Sequence, residues 1–385
     1  MASKKKRRNT KKQRQRRKLI IFGVEILCLL LLLGLLYVWS IISKMEVDTN
    51  FGDSEAGINE DISSETLETL KGYTNIAIFG LDNRSQGKYN QGLSDVIMIA
   101  SINNDTKEVK LVSVYRDTYL SIGDGKFNKA NAAYARGGVK QAVQMLNANL
   151  DLNIKEYLCV DWAAVTEAID ALGGVEIELT KQEVTQINEY LWEVDKMLGT
   201  KTESVKNAGK QVLTGTQATT YARIRKTAGN DFKRTSRQRI VIEAMLNKAK
   251  QADIKTLLNI CNAVFDDVAT SLTLTEIAGL VQDVQKYEIT STSGFPFKVA
   301  GAQLADAGDA VAPIVLADNV TQLHQYLFDA QDYNPSNTVK AISDSIIKKT
   351  GVTADTPSVN VDSYNDTAGQ NGTVFKDPED TKNEN

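Results

Sequence analysis

Along this chain the apolar positions change their period several times, and each change predicts an element. Leu19 to Ile42 (LIIFGVEILCLLLLLGLLYVWSII) is an almost unbroken apolar run of 24 residues, and about 20 such residues span a bilayer as a helix. Glu25 is its one charge, close to Lys18 at the basic end, while Tyr37 and Trp39 suit the far interface. The run is long for a cleaved signal sequence and no small-residue cleavage site follows it, so a retained transmembrane helix is predicted. Residues 43–72 are acidic, rich in Ser and Thr and poor in large apolar groups; they read as a stalk.

Short apolar runs follow. Tyr73–Gly80, Asp95–Ala100 and Val109–Val114 are predicted strands, the last two joined by a turn at Asn103–Thr106. Residues 129–150 show a helical pattern. Ile154–Val160 is a predicted strand, 161–172 a helix closed by Gly173-Gly174, and Val175–Leu179 another strand. Thr214 and Gln217 have capping-box spacing, which starts a helix running to about Ala222. Asn230 or Asp231 caps a second helix from Phe232. Helical segments near 237–251, 253–265 and 274–287, a strand near Glu288–Val299 and helices near 318–329 and 338–348 complete the pattern. The predicted fold class is α/β, a central β-sheet with helices packed on it, preceded by one transmembrane helix. The predicted folded domain is 73–335, with a polar, largely disordered tail over 336–385.

Charge sharpens the picture. Residues 1–18 hold eleven Lys or Arg and no acid, which leaves 34 basic against 48 acidic residues in the remainder. A basic head beside an apolar span places residues 1–18 in the cytoplasm and everything after about Ser43 outside. Its basic run is explained as a topology signal with affinity for anionic lipid, so no nucleic-acid partner is expected. Cys159 and Cys261 lie in apolar contexts without framework spacing and read as small buried hydrophobes. His324, the single histidine, sits in an ordinary amphipathic pattern. Any chemistry must therefore run on carboxylates, arginines and a metal.

The stretch Tyr221–Arg239 (YARIRKTAGNDFKRTSRQR) carries Arg223, Arg225, Lys226, Lys233, Arg234, Arg237 and Arg239 against one acid, Asp231. An extended segment at 223–225 would turn Arg223 and Arg225 the same way, with Ile224 facing the opposite side. On the following helix Val241 and Ala244 lie seven residues after Arg234 and Arg237, so these arginines head an apolar stripe. Guanidinium groups converging beside a core point to a phosphate or pyrophosphate, whose oxygens they match bidentately. Polar residues also mark three strand ends: Asp82 and Arg84, Asp95, and Arg116 with Asp117. Two carboxylates without histidine suit a hard cation, Mg²⁺ or Mn²⁺, at Asp82 and Asp95.

Together FGLDNR, SD opening a strand, YRD, Lys129-Ala-Asn-Ala-Ala-Tyr134, and YARIRK followed by RTSRQR closely resemble the LytR-CpsA-Psr family over about residues 73–330. The resemblance implies an α-β-α fold. It also implies transfer of an anionic glycopolymer, such as wall teichoic acid or capsular polysaccharide, from a polyprenyl-pyrophosphate carrier to peptidoglycan. It makes Asp82 and Asp95 the Mg²⁺ pair, and it makes Arg84, Arg116, Arg223, Arg225, Arg234 and Arg237 the diphosphate lining, with Gln238 beside them. An apolar channel between sheet and helices for the prenyl tail is implied as well. The chain departs from the family pattern at Leu93, at Tyr115 and at Ala228-Gly229, where an arginine, a proline and an acid are usual. Arg116, Asp117 and Asp82 are the candidate catalytic groups, with the base either Asp82 or Asp117. Two other functions share the pattern: a pyrophosphatase or phosphatase acting on the same lipid, and a non-enzymatic membrane-anchored regulator.

Overall fold

The computed structural model describes residues 46–48, 51–81, 92–225, 230–264, 267–359 and 361. The predicted span 19–42, the basic head, and Asp82 and Arg84 lie outside the described residues. Among the described residues no helix is long and apolar enough to cross a membrane.

In chain order the first elements are β1 (Glu46–Val47), α1 (Asp53–Ala56), α2 (Ser64–Lys71), β2 (Tyr73–Leu81), β3 (Ser94–Asn103), β4 (Glu108–Val114), β5 (Tyr119–Gly123), β6 (Lys126–Lys129) and α3 (Asn131–Leu150). Next come β7 (Glu156–Asp161), α4 (Trp162–Ala171), β8 (Val175–Leu179), α5 (Lys181–Leu198), β9 (Gly209–Leu213), α6 (Gly215–Arg223) and α7 (Asn230–Ala249). The chain continues through α8 (Ile254–Val264), β10 (Val268–Thr270), α9 (Leu274–Gln282), β11 (Glu288–Phe295), β12 (Val299–Leu304), β13 (Gly308–Pro313), α10 (Leu316–Phe328) and α11 (Asn337–Thr350).

One seven-stranded mixed sheet runs β1-β10-β7-β2-β3-β4-β11. Side-chain alternation on β2 explains its two faces. Ala77, Phe79 and Leu81 point into the main core, which α3, α10 and α11 cover with residues such as Tyr134, Leu146, Leu323 and Ile346. Ile76 points the other way, joining Ala100, Ile102, Val109 and Leu111 beneath Ile242 of α7 and Leu280 of α9. Helices thus lie on both faces, as predicted for an α/β fold. The second face is less sealed: central-strand Ile78 and its neighbours Leu158 and Val160 are only half-buried, whereas Ala77 and Phe79 are fully enclosed. A separate core forms where α4, α5, α6 and α7 surround the β8–β9 hairpin.

Several elements were not expected. Val175–Leu179 is a strand, but it pairs with β9 in its own hairpin and not in the central sheet. The helix α5 and the hairpin β5–β6 lie in stretches that were given no element. The stalk reading fails from Phe51 onward. Phe51 packs edge-on against Tyr157, Ala56 and Leu70 are fully buried, and Asn59 donates to Asp151 at 2.6 Å. The boundary at 335 also moves. Ser336 caps α11 and donates from both its N–H and its hydroxyl to buried Asp151, while Val359 bridges to Val299 and Val361 is buried. Sparse apolar residues hid both segments, because a few anchors suffice when a larger core already exists to receive them.

His324 is 1% exposed, stacks on Tyr333 at 3.6 Å and donates to the Leu150 carbonyl, so it belongs to the core. Cys159 is likewise buried, whereas Cys261 is only half-buried. Burial, opposed by the Leu150 carbonyl and Asp151, pushes the His324 pKa down to about 4. A group depressed in this way contributes stability that is complete above its unfolded pKa near 6.5 and is lost as pH falls towards 4. Between those limits the linked loss reaches about 3 kcal/mol. Denaturant titrations at pH 7 and pH 4 are expected to show a smaller difference in His324→Gln than in the wild type.

Candidate functional site

The site is built where three strand ends meet the start of a helix. Leu81, last residue of β2, pairs with Ser94, so Asp95 stands at the opening of β3 beside the end of β2. β4 runs out into Tyr115-Arg116-Asp117, and this loop is stapled from several sides. Tyr115 N–H donates to the Phe295 carbonyl at 3.0 Å, Asn131 N–H to the Arg116 carbonyl at 3.1 Å, and Val311 N–H to the Asp117 carbonyl at 2.9 Å. A backbone so held presents its side chains with little freedom.

The other cations arrive through α6 and α7. Thr214 and Gln217 form the predicted capping box at the head of α6. α6 lies flush on α4: a Cβ on Gly215 would fall 2.2 Å from the Thr166 carbonyl oxygen, and Thr166 and Thr219 share a hydrogen bond of 2.8 Å. α7 begins at Asn230, earlier than expected, so Asp231 is in its first turn and not its cap. There an acid complements the positive helix end, and it also receives Arg234 at 2.8 Å.

Around these anchors the charges interlock. Arg116 donates to Asp95 and lies 3.5 Å from Asp117 and 3.7 Å from Asp231. Arg225 Nη2 is 3.6 Å from the second oxygen of Asp95, and Lys129 Nζ is 3.1 Å from Asp117. Four cations thus face three carboxylates in one place. Burial acts against the Arg116 charge, but Asp231, Asp95 and Asp117 outweigh it and raise its pKa. Arg234 is the opposite case. It is 4% exposed, and burial, reinforced by Arg116 and Arg225 against the pull of Asp231, lowers its pKa to about 10. Among the described residues its Nε has no hydrogen-bond partner, nor does either amide atom of buried Gln238 one turn further along the same face. Buried donors left in this state cost roughly 1–3 kcal/mol each, and an anion would satisfy them.

The predicted set is therefore only partly gathered. Asp95, Arg116, Asp117, Arg225 and Arg234 come together with Lys129 and Asp231, and Gln238 lies one helical turn beyond Arg234. Arg223 and Arg225 do not turn the same way, because Arg223 closes a helix and only Ile224 is extended. Arg223 lies over the Trp162 ring at 5.3 Å and donates to Met197 Sδ. Arg237, fully buried, donates to Glu183 at 2.9 Å and to the Ile224 carbonyl, so it ties α7 to α5. Five arginines do not converge on one point.

A sequence profile of the LytR_cpsA_psr family matches residues 41–314. The chain belongs to that family. It is 30% identical over 270 residues, 69% of this chain and 82% of the other, to the polyisoprenyl-teichoic acid–peptidoglycan teichoic acid transferase TagU of Enterococcus faecalis. Among solved structures, protein gbs0355 of Streptococcus agalactiae superposes with a TM-score of 0.58 at 23% identity, covering 72% of this chain and 95% of that one. TagT bound to LI-WTA superposes at 0.52 with 18% identity, covering 80% and 99%. These two likenesses establish the shared LytR-CpsA-Psr fold.

Half of the expected metal pair is visible. Asp95 Oδ2 lies 3.6 Å from Arg225, too far for a hydrogen bond, and its expected partner Asp82 lies outside the described residues. Among the described residues no group of three or more His, Cys, Asp or Glu could hold a metal ion.

Inorganic pyrophosphate is expected to raise the melting temperature, because it binds the folded chain and relieves Arg234. Arg234→Met should abolish that rise while changing stability without ligand by less than about 1 kcal/mol, since an apolar replacement removes a buried charge along with its partner contact. Differential scanning fluorimetry with and without pyrophosphate reads both.

Proposed function

We propose that the chain transfers an anionic glycopolymer, such as wall teichoic acid or capsular polysaccharide, from a polyprenyl-pyrophosphate carrier to peptidoglycan. The observation that carries this reading is the buried, under-bonded guanidinium of Arg234 beside Arg116 and Arg225. Three cations from two distant stretches share one carboxylate cluster, where a diphosphate would complete their hydrogen bonds. The transferase activity for which the Enterococcus relative is named supports the donor and the acceptor.

In this reaction a sugar hydroxyl of peptidoglycan attacks the glycan-proximal phosphorus in line. An O–P bond forms, the bridging P–O bond breaks, and prenyl monophosphate leaves with the electron pair. Arg116, Arg225 and Arg234 donate to the phosphate oxygens on which charge grows, which is where fixed donors accelerate most. Lys129 and Arg116 orient Asp117, and the hydroxyl proton passes to a carboxylate at Asp117 or Asp82. Asp95 with Asp82 would hold Mg²⁺ or Mn²⁺, which supplies further neutralisation of the diphosphate. The prenyl tail fits the less sealed sheet face at Ile78, Leu158 and Val160. Arg223 and Arg237 then stand beyond the diphosphate contacts, fastening the helices that carry them, while Arg84 keeps its expected part in the diphosphate lining. In the same proposal residues 19–42 anchor the chain by a single span, with 1–18 cytoplasmic and the catalytic domain outside.

Purified full-length protein, Mg²⁺, lipid-linked glycan and peptidoglycan test this directly. Arg116→Ala is expected to lower turnover by roughly 10²–10³-fold with circular dichroism unchanged, as for loss of one charge-stabilising donor. Asp95→Asn should raise the Mg²⁺ concentration needed for half-maximal rate. Prenyl-phosphate release at full speed without peptidoglycan, and no polymer–peptidoglycan adduct, would assign the site to a pyrophosphatase instead.

A further inference from the structure

Beneath the charged site lies a small apolar layer that the reaction does not use. Tyr115, immediately before Arg116, is 1% exposed and meets the ring of Phe232 edge-on at 4.6 Å. Phe232 lies between Asp231 and Arg234 in the first turn of α7. The Tyr115 ring occupies the space above Gly294, where an added Cβ would fall 2.0 Å from its hydroxyl oxygen. Val299 and Val361, each 1% exposed, pack with this ring in one cluster, with Val311 and Phe232 against it. Two residues before Val361 the chain is bound to the edge of β12. There Val359 N–H donates to the Val299 carbonyl at 2.8 Å, and Val299 N–H donates to Ser358 Oγ at 3.3 Å.

We propose that Tyr115, Phe232 and Val361 form a positioning brace, in which the chain beyond α11 holds the first turn of α7, and with it Asp231 and Arg234, against Arg116. The physical reason is the short range of the contacts above it. Arg116 and Asp231 are 3.7 Å apart, so a shift of about 1 Å in either element breaks the interlock on which anion binding depends. Backbone hydrogen bonds fix Tyr115 on the sheet side, but α7 follows four residues outside the described set and meets this loop through side chains. Tyr115–Phe232 packing is the contact that sets its first turn, and Val361 keeps Tyr115 from tilting away. None of the three touches the diphosphate; they act through Arg116, Asp231 and Arg234. The consequence for function rests on the diphosphate reading above, whereas the mechanical coupling does not.

Hydrogen exchange and ligand binding on the full-length protein separate the two. In Val361→Ser and Tyr115→Ala, amides 232–236 are expected to exchange about tenfold faster while the α3 amides 142–148 keep wild-type rates. Farnesyl pyrophosphate, used as the probe, should bind about tenfold more weakly in both. Val361→Ile and Tyr115→Phe should restore exchange and binding, and a chain ending at Val361 should match the full chain. Unchanged exchange at 232–236, or equal acceleration in α3, would overturn the brace; so would a chain ending at Val361 that behaves like Val361→Ser. Failure of the wild type to bind the probe would overturn the diphosphate reading, and the exchange data would still decide the brace.

Discussion

A buried arginine without its full complement of partners is the constraint around which this fold is arranged. Arg234 sits almost out of solvent, on the first turns of a helix whose own positive end lies beside it. One carboxylate, Asp231, neutralises it, and the charges of Arg116 and Arg225 repel it. Such an arrangement costs stability unless something negative arrives, so the folded chain stores an affinity for anions in its own electrostatics. The neighbouring carboxylates keep that cost tolerable. Each of Asp95, Asp117 and Asp231 is shared between two cations, which holds the cluster together while leaving it deficient in acceptors.

α7 is the element that makes this possible. Its arginines leave in different directions and fasten it to different neighbours: Arg234 to the charged site and Arg237 to Glu183 in the second core, with Arg239 near enough to Tyr326 on α10 to influence its hydroxyl. Apolar residues one and two turns later, Val241 and Ala244, seat the helix in the core formed by α4, α5, α6 and α7. Ile242 meets the open sheet face. A single helix thereby links polar chemistry at its N-terminus to the half-covered aliphatic surface alongside. The ligand class proposed here, a diphosphate joined to a long apolar chain, needs both in that order.

Local signals in the sequence reached far. Short apolar runs located β2, β3, β4 and β7, the capping box at Thr214 located α6, and the basic stretch singled out α7 as the functional helix. The polar residues at strand ends pointed to Asp95, Arg116 and Asp117, which do meet. What stayed hidden was contact between distant stretches. A charge run cannot reveal that Glu183, 54 residues earlier, will claim Arg237, or that Trp162 will lie under Arg223. Nor can acidic, serine-rich composition reveal that Phe51 and Leu70 are core residues, since a segment with few apolar groups orders itself only if another surface receives them.

The division follows from the range of the forces involved. Backbone hydrogen bonding, capping and side-chain alternation act within a few residues, so the residues themselves determined five of the seven strands of the central sheet, most of the helices and the cationic character of the helix that carries the site. Charge pairing and burial act between groups that only folding brings within about 4 Å, and they decided which arginines share an anion and which fasten helices. Membership of Lys129 in the cluster, the turn of Arg223 towards Trp162, and the docking of Val361 against Tyr115 all belong to that second kind. Each depends on where the chain returns in space, which no local pattern encodes.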